Sequence, residues 1–316
     1  MDIIFPPPLN FGDLIGVVSP ASPLYGEKSN FLDRGLNHLL SKGYRLLEGE
    51  HLRDEYGYLA GTDKARANDF NRMIRNSHVK AIFCSRGGYG TMRILDKIDY
   101  SALRAHPKII MGYSDITALQ MAVFLKTGLV SFSGPMVAVE MGDKPNPLTE
   151  NLWQNVMANA RALKMDAEHF GDEKIVYRAG SAKGRLMGGC LSMLCSLIGT
   201  PYMPDFSESI LVLEDIGESI YKIDRCFSQL AHAGILQKIN GLVLGQFIDC
   251  QPKNSAPSLM LKDVVEHYTK NLAIPVLGNF PYGHDKARFT LPIGVQVKLD
   301  SSRGVIEMLE PAVREE

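Results

Sequence analysis

The sequence predicts a two-domain α/β protein, with a mostly parallel sheet in its first half and a mixed sheet in its second. Three observations carry this. Short apolar runs alternate with amphipathic stretches through the first half, the pattern of successive β-α-β units. The end of the chain holds several strand-like runs with little helix between them, which gives the second half more antiparallel character. The length, 316 residues, exceeds that of one ordinary domain.

The elements follow in order. Leu14–Val18 (LIGVV) is a short, continuous apolar run and predicts a buried strand, followed by the loop Ser19-Pro20-Ala21-Ser22. Leu32, Leu36, Leu39 and Leu40 share one face of a helix. Tyr44–Leu47 predicts a second strand, and Asp63 to Ile74 a helix with Phe70, Met73 and Ile74 on its apolar side. Val79–Cys84, Lys108–Met111 and Leu129–Phe132 complete the first sheet. Gly142–Pro147 (GDKPNP) is rich in turn residues and marks a linker. The division read from this pattern is an N-terminal domain over 1–145, a linker region over 146–180 and a C-terminal domain over 181–316. In the second half, Ile210–Glu214 and Leu242–Leu244 predict buried strands. Ile220, Ile223, Phe227 and Leu230 mark a helix between them. Pro275–Leu277, Val295–Leu299 and Val305–Leu309 predict the closing strands.

Composition narrows the partners. Hydrophobic residues make up 45% and charged residues 22%, and the formal charge is -1, so a protein whose main task is gripping a phosphate backbone is not expected. No apolar run reaches the length of a membrane span, and the first ten residues show neither a basic n-region nor an apolar h-region. The five cysteines form no C-x-x-C pair, so neither a disulfide framework nor a zinc site is expected, and a reducing cytoplasm is the simplest setting.

Four segments could carry chemistry. In Ile109–Thr117 (IIMGYSDIT) an apolar strand runs through a Gly and a Ser into a helix start. Such a turn can hold a nucleophile, Ser114, on a sharp elbow beside the free N–H groups of a helix N-terminus, which favour an oxyanion. The second Gly of G-x-S-x-G is replaced by Ile116, and Ser114 or Asp115 could equally be a helix cap. Ser85–Gly90 (SRGGYG) follows a predicted strand, and its glycines allow close backbone approach to a ligand. It lacks the spacing of a nucleotide loop, so an oxyanion loop or a plain tight turn fits as well. Glu214 and Asp215 end the strand ILVLE, and residue type alone does not choose between them. His284, in the Gly/Pro-flanked loop GNFPYGHD, is placed as a general base. Ser114, Glu214 and His284 together would make a triad in which a carboxylate orients the imidazole that activates the serine.

SRGGYG, GYSDITAL, LEDIGE and FPYGH, in this order along the chain, resemble the LD-carboxypeptidases of serine peptidase family S66, a family that includes the microcin C self-immunity peptidases. YLAGTDKAR (Tyr58–Arg66), the SGPM run (Ser133–Met136) and GRLMGGCLSML (Gly184–Leu194) match as well, so the resemblance spans nearly the whole chain. It implies an N-terminal domain like that of class I glutamine amidotransferases and a smaller C-terminal domain, with the active site between them. It implies Ser114 as nucleophile, Glu214 and not Asp215 as the acid, and His284 as the base. The oxyanion donors it implies are the backbone N–H groups of Asp115 and of a Gly in the RGG loop, Gly88 first and Gly87 second. The implied reaction is release of a terminal D-Ala from the cytoplasmic muropeptide tetrapeptide in peptidoglycan recycling, by a homodimer with no metal or cofactor, no nucleic acid and no membrane. Arg86, Arg185, Arg225 and Arg288 lie in or near the motifs, and the sequence does not choose which grips the terminal carboxylate. Two other readings share the fold: a microcin-immunity-type peptidase acting on a peptidyl-aminoacyl adenylate mimic, and a non-catalytic muropeptide-binding module. The single Trp, Trp153, sits in an amphipathic stretch and reads as a packing residue.

Overall fold

The computed structural model describes residues 2–171, 173–252 and 257–315. The chain divides into two compact units. The first holds Met1–Arg161, Phe289–Gly294 and Pro311–Glu316, and the second Ala162–Arg288 and Val295–Glu310.

The first unit begins with the β-α alternation that the apolar runs predict. Its elements are β1 (Leu14–Val18), α1 (Glu27–Ser41), β2 (Arg45–Glu48), α2 (Asp63–Arg75), β3 (Val79–Cys84), α3 (Tyr100–Ala105), β4 (Ile109–Gly112), α4 (Thr117–Thr127) and β5 (Ser131–Ser133). The strands pair in parallel in the order β2-β1-β3-β4-β5. β4 is buried at all four positions, as a strand covered by helices on both faces must be. α2 starts at a Thr62 cap, whose hydroxyl accepts from the Ala65 N–H at 3.2 Å.

α5 (Pro147–Ala158) follows, capped by Asn146 with Pro147 in its first turn. Trp153 on this helix is fully buried, with ring centroids 5.8 Å from Phe83 and 6.2 Å from Tyr44. The Pro/Gly-rich stretch read as a linker is therefore a helix entry, and the first unit runs on to Arg161. Turn residues mark a break in local structure, and such a break can fall inside a single core.

The second unit holds β6 (Lys164–Asp166), β7 (Ile175–Arg178), β8 (Ser181–Cys190), α6 (Leu191–Leu197), β9 (Ser209–Ile216), α7 (Ile220–His232), β10 (Gly241–Ile248), α8 (Leu261–Thr269) and β11 (Val276–Gly278). The chain then contributes β12 (Leu291–Ile293) to the first unit, antiparallel to β5 at the sheet edge, before β13 (Gln296–Asp300) and β14 (Val305–Met308). The second sheet runs β6-β14-β13-β8-β9-β10-β11-β7. Its centre, β8-β9-β10-β11, is parallel, and its flanks are antiparallel. Ile220, Ile223, Phe227 and Leu230 form the buried stripe of α7 that their spacing predicts.

Candidate active site

In the first unit, buried β4 delivers the chain to a turn and then to α4. Tyr113 is extended, and Ser114 takes φ 64°. This is left-handed backbone that a non-glycine residue adopts at a cost, on the order of 1–3 kcal/mol, when its surroundings fix it there. A single 3₁₀ turn, Ser114–Ile116, leads into the helix. Ser114 is half-buried, with its two following residues buried behind it. Two contacts set the angle of the elbow. The Gln120 amide donates to the Gly112 carbonyl at 3.1 Å, and the Tyr113 hydroxyl donates to Glu140 at 2.8 Å. Glu140 in turn accepts from the Met136 N–H at 2.9 Å, which ties the SGPM run to the elbow.

The SRGGYG loop lies against that serine. A Cβ on Gly87 would sit 2.9 Å from the Ser114 Cβ and 3.2 Å from its Oγ, so only glycine leaves this side chain room. Gly88 takes φ 114° and turns toward the SPAS loop, where a Cβ would fall 2.4 Å from the Ser22 hydroxyl. That hydroxyl accepts from the Tyr89 N–H at 3.0 Å. The far end of the loop is fixed by Asp115, which is buried and accepts from the Thr91 N–H at 2.8 Å, from its hydroxyl and from the Gly90 backbone. Burial pushes the Asp115 carboxyl above its ordinary range despite these donors. Arg66, fully buried on α2, clamps from the other side. Its guanidinium donates to the Gly90 carbonyl at 2.9 Å, to the Pro20 carbonyl and to Asp63 at 2.5 Å. The YLAGTDKAR motif thus ends on a residue that joins the loops after β1 and β3.

In the second unit, β9 carries Glu214 and Asp215 to its C-terminal end, between β8 and β10. The two carboxylates face different partners. Glu214 is 0% exposed, and its Oε2 lies 2.6 Å from Nδ1 of His284. Asp215 accepts from the Ser192 N–H in the first turn of α6 and from the Ile216 N–H, both at 2.8 Å. It caps a helix, and burial raises its carboxyl above the ordinary range. The His284 loop is held against β10: the Phe280 N–H donates to the Leu244 carbonyl at 3.0 Å, and the Gln246 N–H to the Tyr282 carbonyl at 2.8 Å. Gly283, at φ 135°, brings the backbone so near that a Cβ would sit 3.0 Å from the Glu214 Oε2. Buried Arg288 donates to the Gly283 carbonyl.

A carboxylate on Nδ1 selects the tautomer that leaves Nε2 as the acceptor, and it stabilises the imidazolium that forms when Nε2 takes a proton. The second unit therefore presents a carboxylate–imidazole pair that can accept a proton at Nε2. The first presents a left-handed serine at a helix start beside a glycine loop, an arrangement that can serve as a nucleophile with oxyanion donors. His284 and Glu214 are in contact, and Ser114, Asp115, Gly87 and Gly88 share the first unit.

The four arginines have separate partners. Arg86 donates to the Pro23 carbonyl at 2.9 Å, Arg185 lies 3.8 Å from Glu310, and Arg225 stacks 5.6 Å over Tyr221, with Arg288 on the Gly283 loop. Sequence reasoning missed Arg66, Thr91 and Glu140 as members of the framework. Arg66 carried a signal, since an Arg among the apolar positions of an amphipathic helix requires buried carbonyls or carboxylates to hold. Among the described residues, no cluster of three or more His, Cys, Asp or Glu could hold a metal ion.

Residues 15–134 match the LD-carboxypeptidase N-terminal domain, and residues 183–299 match the LD-carboxypeptidase C-terminal domain. The chain belongs to the LD-carboxypeptidase family, S66. It is a serine-type hydrolase of that family. The first match contains Ser114 and the second contains Glu214 and His284. The probable murein peptide carboxypeptidase of Bacillus subtilis (strain 168) is 39% identical to this S66 chain over 302 residues, covering 94% of the chain and 92% of that protein. The microcin C7 self-immunity protein MccF of Escherichia coli is 31% identical over 331 residues, covering 96% and 95%. A solved structure of MccF in complex with aspartyl sulfamoyl adenosine is similar at a TM-score of 0.89 and 29% identity, covering 98% of this chain and 100% of that one. The muramoyltetrapeptide carboxypeptidase of Oxalobacter formigenes is similar at a TM-score of 0.81 and 31% identity, covering 93% and 97%.

Proposed function

We propose that this S66 peptidase releases the terminal D-Ala from murein tetrapeptides during peptidoglycan recycling, with Ser114, His284 and Glu214 as its triad. The observation that carries the reading is the Glu214–His284 pair, a fully buried carboxylate on the imidazole Nδ1, next to an Asp215 already committed to a helix end. In this mechanism His284 Nε2 accepts the Ser114 proton as the hydroxyl attacks the scissile carbonyl. The oxyanion is held by the backbone N–H groups of Gly88 and Asp115. Imidazolium then protonates the leaving amine, and water, activated by the same base, releases the acyl group from Ser114. The substrate is supported by the names of two relatives, a probable murein peptide carboxypeptidase and a muramoyltetrapeptide carboxypeptidase. In this reading the enzyme works in the cytoplasm as a homodimer, which sedimentation velocity tests.

Incubation with murein tetrapeptide, followed by mass spectrometry, should show loss of one D-Ala. Ser114→Ala should lower turnover by roughly 10⁴-fold or more with folding intact. Undiminished turnover in that variant sinks the triad. Absence of D-Ala release by the wild type sinks the substrate.

A second reading, hydrolysis of an aminoacyl adenylate mimic, is favoured by the likeness to MccF. Against it, the single Trp is buried between Phe83 and Tyr44 and offers no face to an adenine. Cleavage of such a mimic in preference to tetrapeptide would reverse the order.

A further inference from the structure

A carboxypeptidase must hold the charged end of its substrate beside the bond it cuts. In the leaving residue the carboxyl carbon is joined to the Cα that bears the scissile nitrogen. Its receptor therefore lies about one residue's length, roughly 4 Å, beyond the scissile carbonyl. Most arginines near the motifs are committed elsewhere. Arg66 and Arg93 share Asp63. Arg185 lies beside Glu310, Arg288 is buried on the Gly283 carbonyl, and Arg225 is exposed on α7. Arg86 differs from all of these. It is half-buried and directly precedes the glycine that packs on Ser114, and among the described residues no carboxylate pairs with it. Its Nη1 donates to the Pro23 carbonyl at 2.9 Å, which fixes the plane of the guanidinium. Its Nη2 lies 3.8 Å from where a Cβ on Gly88 would stand, and among the described residues it has no acceptor. The Ser22 hydroxyl borders the same space. That oxygen accepts from the Tyr89 N–H at 3.0 Å, so its own proton is left to donate. The absent side chain of exposed Gly88 thus leaves a notch, wholly within the first unit, that two donors line.

We propose that Arg86 Nη2 and the Ser22 hydroxyl receive the terminal carboxylate of the substrate in the notch over Gly88, a role that rests on Ser114 being the nucleophile of a carboxypeptidase. The donors suit this group: a charged N–H takes one carboxylate oxygen and a neutral O–H the other. Burial lowers the Arg86 guanidinium from its ordinary value, with only the Tyr25 and Tyr113 hydroxyls near enough to oppose it. An incoming anion supplies the countercharge that the fold withholds. The position suits it as well. Gly87 lies against Ser114, and the next residue, Gly88, floors the notch, so the scissile carbonyl and the carboxylate one residue beyond it meet the same loop. A peptide that continued past this point would bring a neutral carbonyl to Arg86 and more chain into the notch. The notch thereby selects a chain end over an internal bond.

The test compares kcat/KM for murein tetrapeptide with that for the same peptide amidated at its terminal D-Ala. The wild type should prefer the free acid, and Arg86→Gln should lower this acid-over-amide ratio by about 10- to 100-fold, as loss of a charged hydrogen bond does. Ser22→Ala should lower it by about 2- to 10-fold. Arg86→Lys keeps the charge without the fork and should fall between wild type and Arg86→Gln. Arg225→Gln should keep the wild-type ratio. Both peptides meet the same preparation, so a general loss of folded enzyme leaves the ratio unmoved. If Arg86→Gln fails to fold, Arg86→Lys and Ser22→Ala carry the same comparison. Release of D-Ala with a ratio that these variants leave unchanged, or that falls in Arg185→Gln instead, overturns the proposal and leaves the role of Ser114 standing. Release from neither peptide by the wild type overturns the tetrapeptide reading, and the notch with it.

Discussion

At Ser114 the backbone sits at φ 64°, a conformation that a serine holds only because its neighbours leave no other. Gly87 is one of those neighbours. Its own backbone is not left-handed, so Gly87→Ala is conformationally allowed, yet the new methyl would lie 2.9 Å from the Ser114 Cβ. This variant should fold with near-normal stability and lose about a hundredfold or more in kcat, because in the proposed mechanism small displacements of the attacking hydroxyl are costly. Steady-state kinetics alongside thermal unfolding checks it, and unchanged kcat would refute the contact's importance. The adjacent carboxylates give a second contrast. Glu214→Gln should lower kcat by up to about 10⁴-fold through loss of the imidazolium's partner. Asp215→Asn should leave kcat within about tenfold and cost about 1 kcal/mol of stability as a weakened helix cap. A reversed ranking would exchange their roles. Both carboxylates end the same apolar strand in the sequence, so residue pattern left them equal. What separates them is Ser192, twenty-odd residues away in sequence, whose N–H lies on Asp215.

At the scale of elements, the Ser114 elbow and the SRGGYG loop are held by links that cross between segments. Asp115 joins the start of α4 to Gly90 and Thr91, and Arg66 joins α2 to the carbonyls of Pro20 and Gly90. Burial raises the Asp115 carboxyl from its ordinary 3.8, so the folded chain keeps this proton to higher pH than the unfolded chain. Ionisation therefore costs stability. The cost is absent below the ordinary carboxylate range, sets in as pH climbs through it and is complete above the raised folded value. The stability of wild type relative to Asp115→Asn should accordingly fall as pH rises through the acid range. Urea unfolding at a series of pH values measures this, and a flat or rising difference contradicts it. The elements themselves were unevenly legible. β1, β3, β4 and α7 have plain periodicity and appear where it puts them. β8 was invisible, because Gly184, Gly188 and Gly189 erase the β signal. The structure needs at least one of them: a Cβ on Gly188 would sit 2.0 Å from the Val212 carbonyl oxygen on the neighbouring strand. β12 was hidden by Pro292, which a sheet accepts only at an edge, where this strand lies.

For the whole molecule, the division into units is not linear in sequence. Local composition placed a boundary near Pro147, but α5 and its buried Trp153 belong to the first core, and Leu291–Ile293 rejoin that core from far down the chain. No local pattern reports such a return, because it depends on which edge a distant strand finds. The return makes a prediction. A fragment comprising residues 1–161 lacks β12 and leaves the β5 edge unpaired. It should express as an aggregating species, while the full chain remains monodisperse in size-exclusion chromatography. A well-folded, soluble 1–161 fragment would show that the returning strand is dispensable.

The same returning strand bears on synthesis. Roughly 130 residues separate Arg161 from Leu291, which takes a ribosome roughly 6–26 s at ordinary elongation rates. Throughout that interval the nascent chain carries the serine elbow in a sheet whose last strand has not been made. Completion of the unit that holds Ser114 is thereby tied to near-complete translation, so a prematurely terminated chain carries Ser114 without the finished sheet around it.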